Sequence, residues 1–135
     1  MKVRPVEPSR EFEVGTRGGR ISHSADVELD LDEQVTFITD VGTELDVVRK
    51  SWGYYPAPSL NGRLPEHGLR AVLAIGLPRE SHASRRMYLL LVERGREPDF
   101  EAYAESEGMR VLCWLDSDEA VAEAAARLER PEASA

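Results

Sequence analysis

At 135 residues, with 41% hydrophobic and 31% charged side chains, the chain has the size of one domain and can bury a core without covalent staples. A net charge of −8 argues against nucleic acid or an anionic membrane as partner, and the single cysteine, Cys113, excludes an internal disulfide and a thiolate metal cluster. No apolar run approaches the roughly 18–20 residues that span a bilayer, and the start MKVRPVEPSREFEV has no apolar signal core, so a cytoplasmic protein is expected; its arginine, alanine and glutamate bias suits a bacterial source.

Along the chain, residues 1–10 read as a flexible polar lead-in and residues 11–14 as a short strand before the glycine-rich turn GTRGGR. From 25 to 31 the alternation is strict, with Ala25, Val27, Leu29 and Leu31 on one face and Asp26, Glu28 and Asp30 on the other, the pattern of a half-buried antiparallel strand. Residues 35–39 and 44–49 are further β-branched runs, and the three together predict an N-terminal meander. The apolar runs at 69–77 and 87–92 predict central strands buried on both faces, joined by the basic connection PRESHASRR. Pro98 is placed for the first turn of a helix carrying Phe100, Tyr103 and Ala104, with Gly108 as its stop. Residues 109–115 read as a strand, and Asp116 or Ser117 as the cap of a last helix that Pro131 ends, leaving 131–135 as a flexible tail. The expected fold is a single α+β domain. Its mainly antiparallel or mixed sheet is covered by two C-terminal helices, with a part-closed barrel as the alternative for the strand-rich portion.

Between these elements lies KSWGYYPAPSLNGRLPEHGLR, residues 50–70. Pro56, Pro58 and Pro65 each remove a backbone donor, so 51–68 reads as one long aromatic loop, with Asn61-Gly62 favouring a small hairpin turn inside it. Ordered loops longer than about 12–15 residues are uncommon and are often functional. Charge is uneven too: residues 1–49 balance to −5, residues 50–96 to +5 and residues 97–135 to −8, so the loop opens the basic third of an acidic chain.

Other centres of chemistry fail on spacing. His23, His67 and His82 form no metal motif, Cys113 sits mid-strand without a basic neighbour, and no serine lies in a nucleophile elbow. The glycines of GTRGGR lack the phosphate-loop spacing, Asp116-Ser117-Asp118 reads as helix capping, and neither a metal nor a cofactor is called for. The loop remains. Trp52, Tyr54 and Tyr55 offer flat surfaces with polar tips, Asn61 and His67 offer hydrogen bonds, and Arg63 and Arg70 offer charge-assisted contacts to an anion. The leading expectation is a site for a polar, anionic small molecule. One alternative is a small enzyme with His67 as general acid/base and an arginine clamp; another is an interaction module, for instance a homodimer, anchored by Trp52, Tyr54 and Tyr55. The structural alternative is that the rings plug the sheet while the arginines answer the chain's own carboxylates.

Overall fold

The computed structural model describes residues 1–15, 19–77 and 85–129. The core of the glycine-rich turn, most of the basic connection with His82, and the tail after 129 lie outside those residues. Half of the described residues are strand and 21% are helix, in three open antiparallel sheets with three helices, an α+β arrangement.

The first sheet is a two-stranded ribbon of β1 (Lys2–Val14) and β2 (Gly19–Glu28). Sequence pattern starts β1 at residue 11 and assigns 25–31 to the meander; instead residues 2–10 are strand and Ala25–Glu28 pairs with them. The reason lies in the cross-strand partners. Lys2 faces Glu28 and Arg4 faces Asp26, so the acidic face of β2 meets cations on β1, while Val3 faces Val27 on the other side. Between Pro5 and Arg10 the register shifts, with four residues of β1 standing against Ser24; Pro8 there cannot donate to the ladder.

The second sheet is the meander proper: β3 (Gln34–Ile38), β4 (Glu44–Lys50) and β5 (Gly53–Pro56). Gly42, at φ 88°, makes the β3–β4 turn, and Thr39 accepts from the Gly42 N–H at 3.0 Å. Its third strand comes from inside the segment read as irregular. Pro56 ends an edge strand, where a missing donor costs little, and Pro65 lies within the first turn of a one-turn helix, α1 (Arg63–Glu66). Gly62 has φ −115° and precedes α1, so Asn61-Gly62 is not the mirror-image hairpin turn, which needs positive φ at both residues.

The third sheet holds the core. β6 (Leu69–Gly76) lies between β7 (Met87–Glu93) and β8 (Met109–Trp114), antiparallel to both. Its Leu69 and Ala71 face Leu64 of α1 and Leu115, with Leu45 of β4 and Leu91 behind them. Val72 faces the other way, against Val92, and against Phe100 and Ala104 of α2 (Glu97–Ser106). Phe100 and Ala104 are four apart and lie on one helix face, and Phe100 meets Trp114 edge-on at 5.8 Å. β6 is therefore covered on both faces. β7 is not: it is an edge strand whose Met87, Tyr88 and Leu89 are exposed, and only its second half enters the core.

The last helix, α3 (Asp118–Leu128), is capped by Ser117, whose Oγ accepts from the Ala120 N–H at 3.1 Å. It touches the core through Ala124 and buries no residue of its own. No helix among the described residues is long and apolar enough to cross a membrane.

Candidate functional site

The residues singled out between 50 and 70 occupy separate elements. Trp52 lies in the β4–β5 turn, across which Lys50 pairs with Gly53. Its ring stacks on Tyr55 with centroids 5.7 Å apart and planes 18° apart, while Trp52 and Tyr54 remain 67% and 60% exposed. The neighbouring cations are engaged inside the chain: Lys50 pairs with Asp32, and Arg49 donates to the Leu29 carbonyl at 3.0 Å.

Asn61 donates to Asp118 at 2.9 Å, tying the segment before α1 to the start of α3. Arg63 opens α1 and is exposed. His67 follows α1, with its Nδ1 buried, without a hydrogen-bond partner among the described residues and 3.9 Å from Glu44 Oε2.

Arg70 sits in a knot of its own. Its Nε donates to Asp116 at 2.6 Å, its Nη1 to Glu97 at 3.1 Å, and its guanidinium carbon lies 4.1 Å from the Trp114 ring centroid. One cation is thus held by two carboxylates and an indole face. The Arg70 hydrogen bond holds the Asp116 carboxyl below the ordinary carboxylate range. Glu97 is also held low, first by its own backbone N–H and then by the N–H of Gly95 and by Arg70. The anion expected for Arg70 is, in the folded chain, supplied by the chain.

A concave site lies elsewhere. A cleft of about 410 Å³ opens where the end of β6, the start of β7 and the C-terminal end of α2 meet. Arg85, Arg86, Tyr88 and Tyr103 line it, with Leu90 and Met109 half-buried and apolar and Glu107 adding a carboxylate. Arg85 is steered by its Nε, which donates to the Gly76 carbonyl at 3.2 Å. Among the described residues, no hydrogen bond or ion pair engages the Arg86 guanidinium. Gly15 closes the cleft from the ribbon: its φ is 76°, and a Cβ there would come within 2.3 Å of the Glu107 carboxylate.

A second hollow of about 230 Å³, between Phe37, Ile38, Leu45, Leu69 and Leu91, falls below the roughly 300–1,000 Å³ of most ligand pockets. At its edge the buried Thr43 donates to Glu93 at 2.9 Å and lies 2.5 Å from the Thr39 hydroxyl. These two hydroxyls hold the Glu93 carboxyl low.

Neither hollow is lined by Trp52, Tyr54, Tyr55, Asn61, Arg63, His67 or Arg70. The cleft residues carry one sequence signal, the positive balance of residues 50–96, which includes Arg85 and Arg86 as well as the loop. Nothing local marks Tyr88 and Tyr103, because a strand start and a helix end meet only through the sheet order. Among the described residues, no three His, Cys, Asp or Glu side chains gather as a metal site. In comparisons with known proteins, no family model, no curated sequence and no solved structure matches the chain.

Proposed function

We propose that the chain binds a small anionic molecule with a planar or apolar portion, in the cleft between β7 and α2. The observation that carries this reading is the pair of arginines beside two tyrosines on a cleft of about 410 Å³. Guanidinium groups recognise carboxylates and phosphates by paired, charge-assisted hydrogen bonds, and tyrosine faces accept flat rings. Leu90 and Met109 offer the apolar portion a surface. The ligand class is the one expected from the sequence; its place moves from the aromatic loop to the other end of the basic third.

Inorganic phosphate, benzoate and adenosine monophosphate separate the contributions of charge, ring and both. The compound that combines them is expected to raise the melting temperature in a saturable way, since a ligand at 100 times its Kd adds about 2.7 kcal/mol to folded-state stability. Arg86→Ala and Tyr103→Ala are expected to abolish that shift while leaving the ligand-free melting temperature within about 2 °C, as for exposed substitutions generally. No shift with any of the three at millimolar concentration rejects the reading.

A second reading is favoured by the Trp52–Tyr55 stack, which stands exposed at a hairpin tip beside Tyr54. Rigid, exposed aromatic rings are what protein interfaces use as anchors. On this reading the tip is a contact for a protein partner, and Trp52→Ala weakens that contact without altering the cleft.

A further inference from the structure

The β1–β2 ribbon raises a separate question, because neither strand packs extensively against any other element. Isolated two-stranded hairpins are marginal in water at best, and stability requires further strands or a packed face. This ribbon has such a face. Positions 21, 23, 25 and 27 of β2 share one side, and the register places Phe12 opposite Ile21 and Val3 opposite Val27 on that side, followed by Val14. Between these apolar pairs stand Pro5 opposite Ala25 and Arg10 opposite His23, with the Arg10 guanidinium laid over the Phe12 ring at 5.1 Å. Val3, Phe12, Val14, Ile21 and Val27 are each between 37% and 53% exposed. The opposite side is polar, with Arg20 paired to Glu11 at 3.0 Å and Glu28 near both Lys2 and Arg4.

We infer that this apolar face packs against the same face of a second copy of the chain. Area is the first argument. A compact monomer of 15.1 kDa is expected to expose about 7,100 Å². This chain exposes 10100 Å² in all, an excess large enough to include the roughly 800 Å² that each partner gives to a stable interface.

Charge supplies the second argument. Residues 1–28 hold five Lys/Arg and five Asp/Glu, a balance of zero, whereas the rest of the chain carries the full −8. A partner chosen by charge would be cationic and would seek the acidic remainder. The neutral ribbon is where two such chains can meet without like-charge repulsion. Face-to-face packing about a two-fold axis sets the two ribbons about 10 Å apart, and the contact is isologous, with Phe12 and Ile21 next to the mid-face pair Arg10 and His23. Extension along the edge of β1 is disfavoured by Pro5 and Pro8, which cannot donate to a new ladder.

Sedimentation equilibrium on the full chain decides the question. The expected mass is that of a dimer, about 30 kDa against 15.1 kDa for one chain, and Phe12→Glu or Ile21→Lys is expected to return it to the monomer. Ser22→Glu, on the polar side of β2, keeps the dimer. Loss of fold is separated from loss of contact by Val27→Ser, a milder change, whose dimer dissociates at least tenfold more readily while its far-ultraviolet spectrum is retained. A wild-type monomer throughout the micromolar range overturns the inference and leaves a different polypeptide as the occupant of the face. A dimer indifferent to Phe12→Glu, Ile21→Lys and Val27→Ser overturns it equally. Ligand binding in the cleft is read separately, by melting shift, so either proposal can fail without the other.

Discussion

At the scale of single residues, Arg70 has the most consequence for stability. It links β6 to α2 through Glu97 and to the segment after β8 through Asp116, and it covers the Trp114 ring. Removing it leaves a largely buried Asp116 carboxylate without its cation, so Arg70→Ala is expected to cost about 3 kcal/mol in urea unfolding. The pH dependence follows from the lowered Asp116 carboxyl. In the unfolded chain this group takes up a proton at the ordinary carboxylate value, while in the folded chain it resists to lower pH. Its contribution is therefore complete above the unfolded value and is lost as pH falls through the folded one. As pH falls below the ordinary aspartate value, stability of the wild type is expected to drop more steeply than that of Arg70→Ala, measured by urea midpoints on both proteins. Gly68 is the second such residue. Its φ of 91° suits glycine, and a Cβ there would lie 2.8 Å from Thr43 Cγ2. Gly68→Ala is expected to cost about 2 kcal/mol, combining the left-handed backbone with displacement of the Thr43 hydroxyl that serves Glu93.

At the scale of elements, local signals and long-range partners diverge in instructive ways. Ser117 and Asp116 are both good caps by composition, yet the structure divides the work: Ser117 caps α3 and Asp116 turns to Arg70. Ser117→Ala is accordingly expected to cost about 1 kcal/mol by fraying α3, a loss visible in far-ultraviolet circular dichroism, with the acid sensitivity unchanged. The aromatic segment divides in the same way. Its prolines suit the end of an edge strand and the first turn of a helix as well as they suit a loop. The β4–β5 hairpin that results leaves Trp52 in water, whereas Trp114 is half-buried under Arg70. Trp52→Ser is expected to change stability by less than about 0.5 kcal/mol, and to remove most of the iodide-quenchable tryptophan fluorescence.

At the scale of the whole molecule, the balance between buried and exposed apolar groups is unusual. Among the described residues ten apolar side chains form the buried core, while twenty large hydrophobic ones are exposed. Scattered exposed hydrophobics are ordinary, but here five of them share one ribbon face and three more gather at the β4–β5 tip. A core built around one three-stranded sheet makes folding stability depend on what covers the rest. If the ribbon pairs with a second copy, the melting temperature rises with protein concentration, and Phe12→Glu removes that dependence. Differential scanning calorimetry over a hundredfold range of concentration is the measurement that checks it.

By itself the sequence determined the α+β class, the central strand β6 and where α2 and α3 begin. Those depend on apolar runs, on Pro98 at a helix start and on Ser117 at a helix cap, all of them properties of a few adjacent residues. It also located the basic third of the chain. Only the tertiary structure decided what the cations in that third face. Arg70 lies 46 residues from Asp116 and 27 from Glu97, so its neutralisation inside the chain has no local signature. The cleft depends likewise on the order β7–β6–β8, which brings Arg86 and Tyr103 to one rim. The alternation at 25–31 is equally silent about its partner, because period two reports that a strand has two unlike faces and not which strand or which copy lies against them.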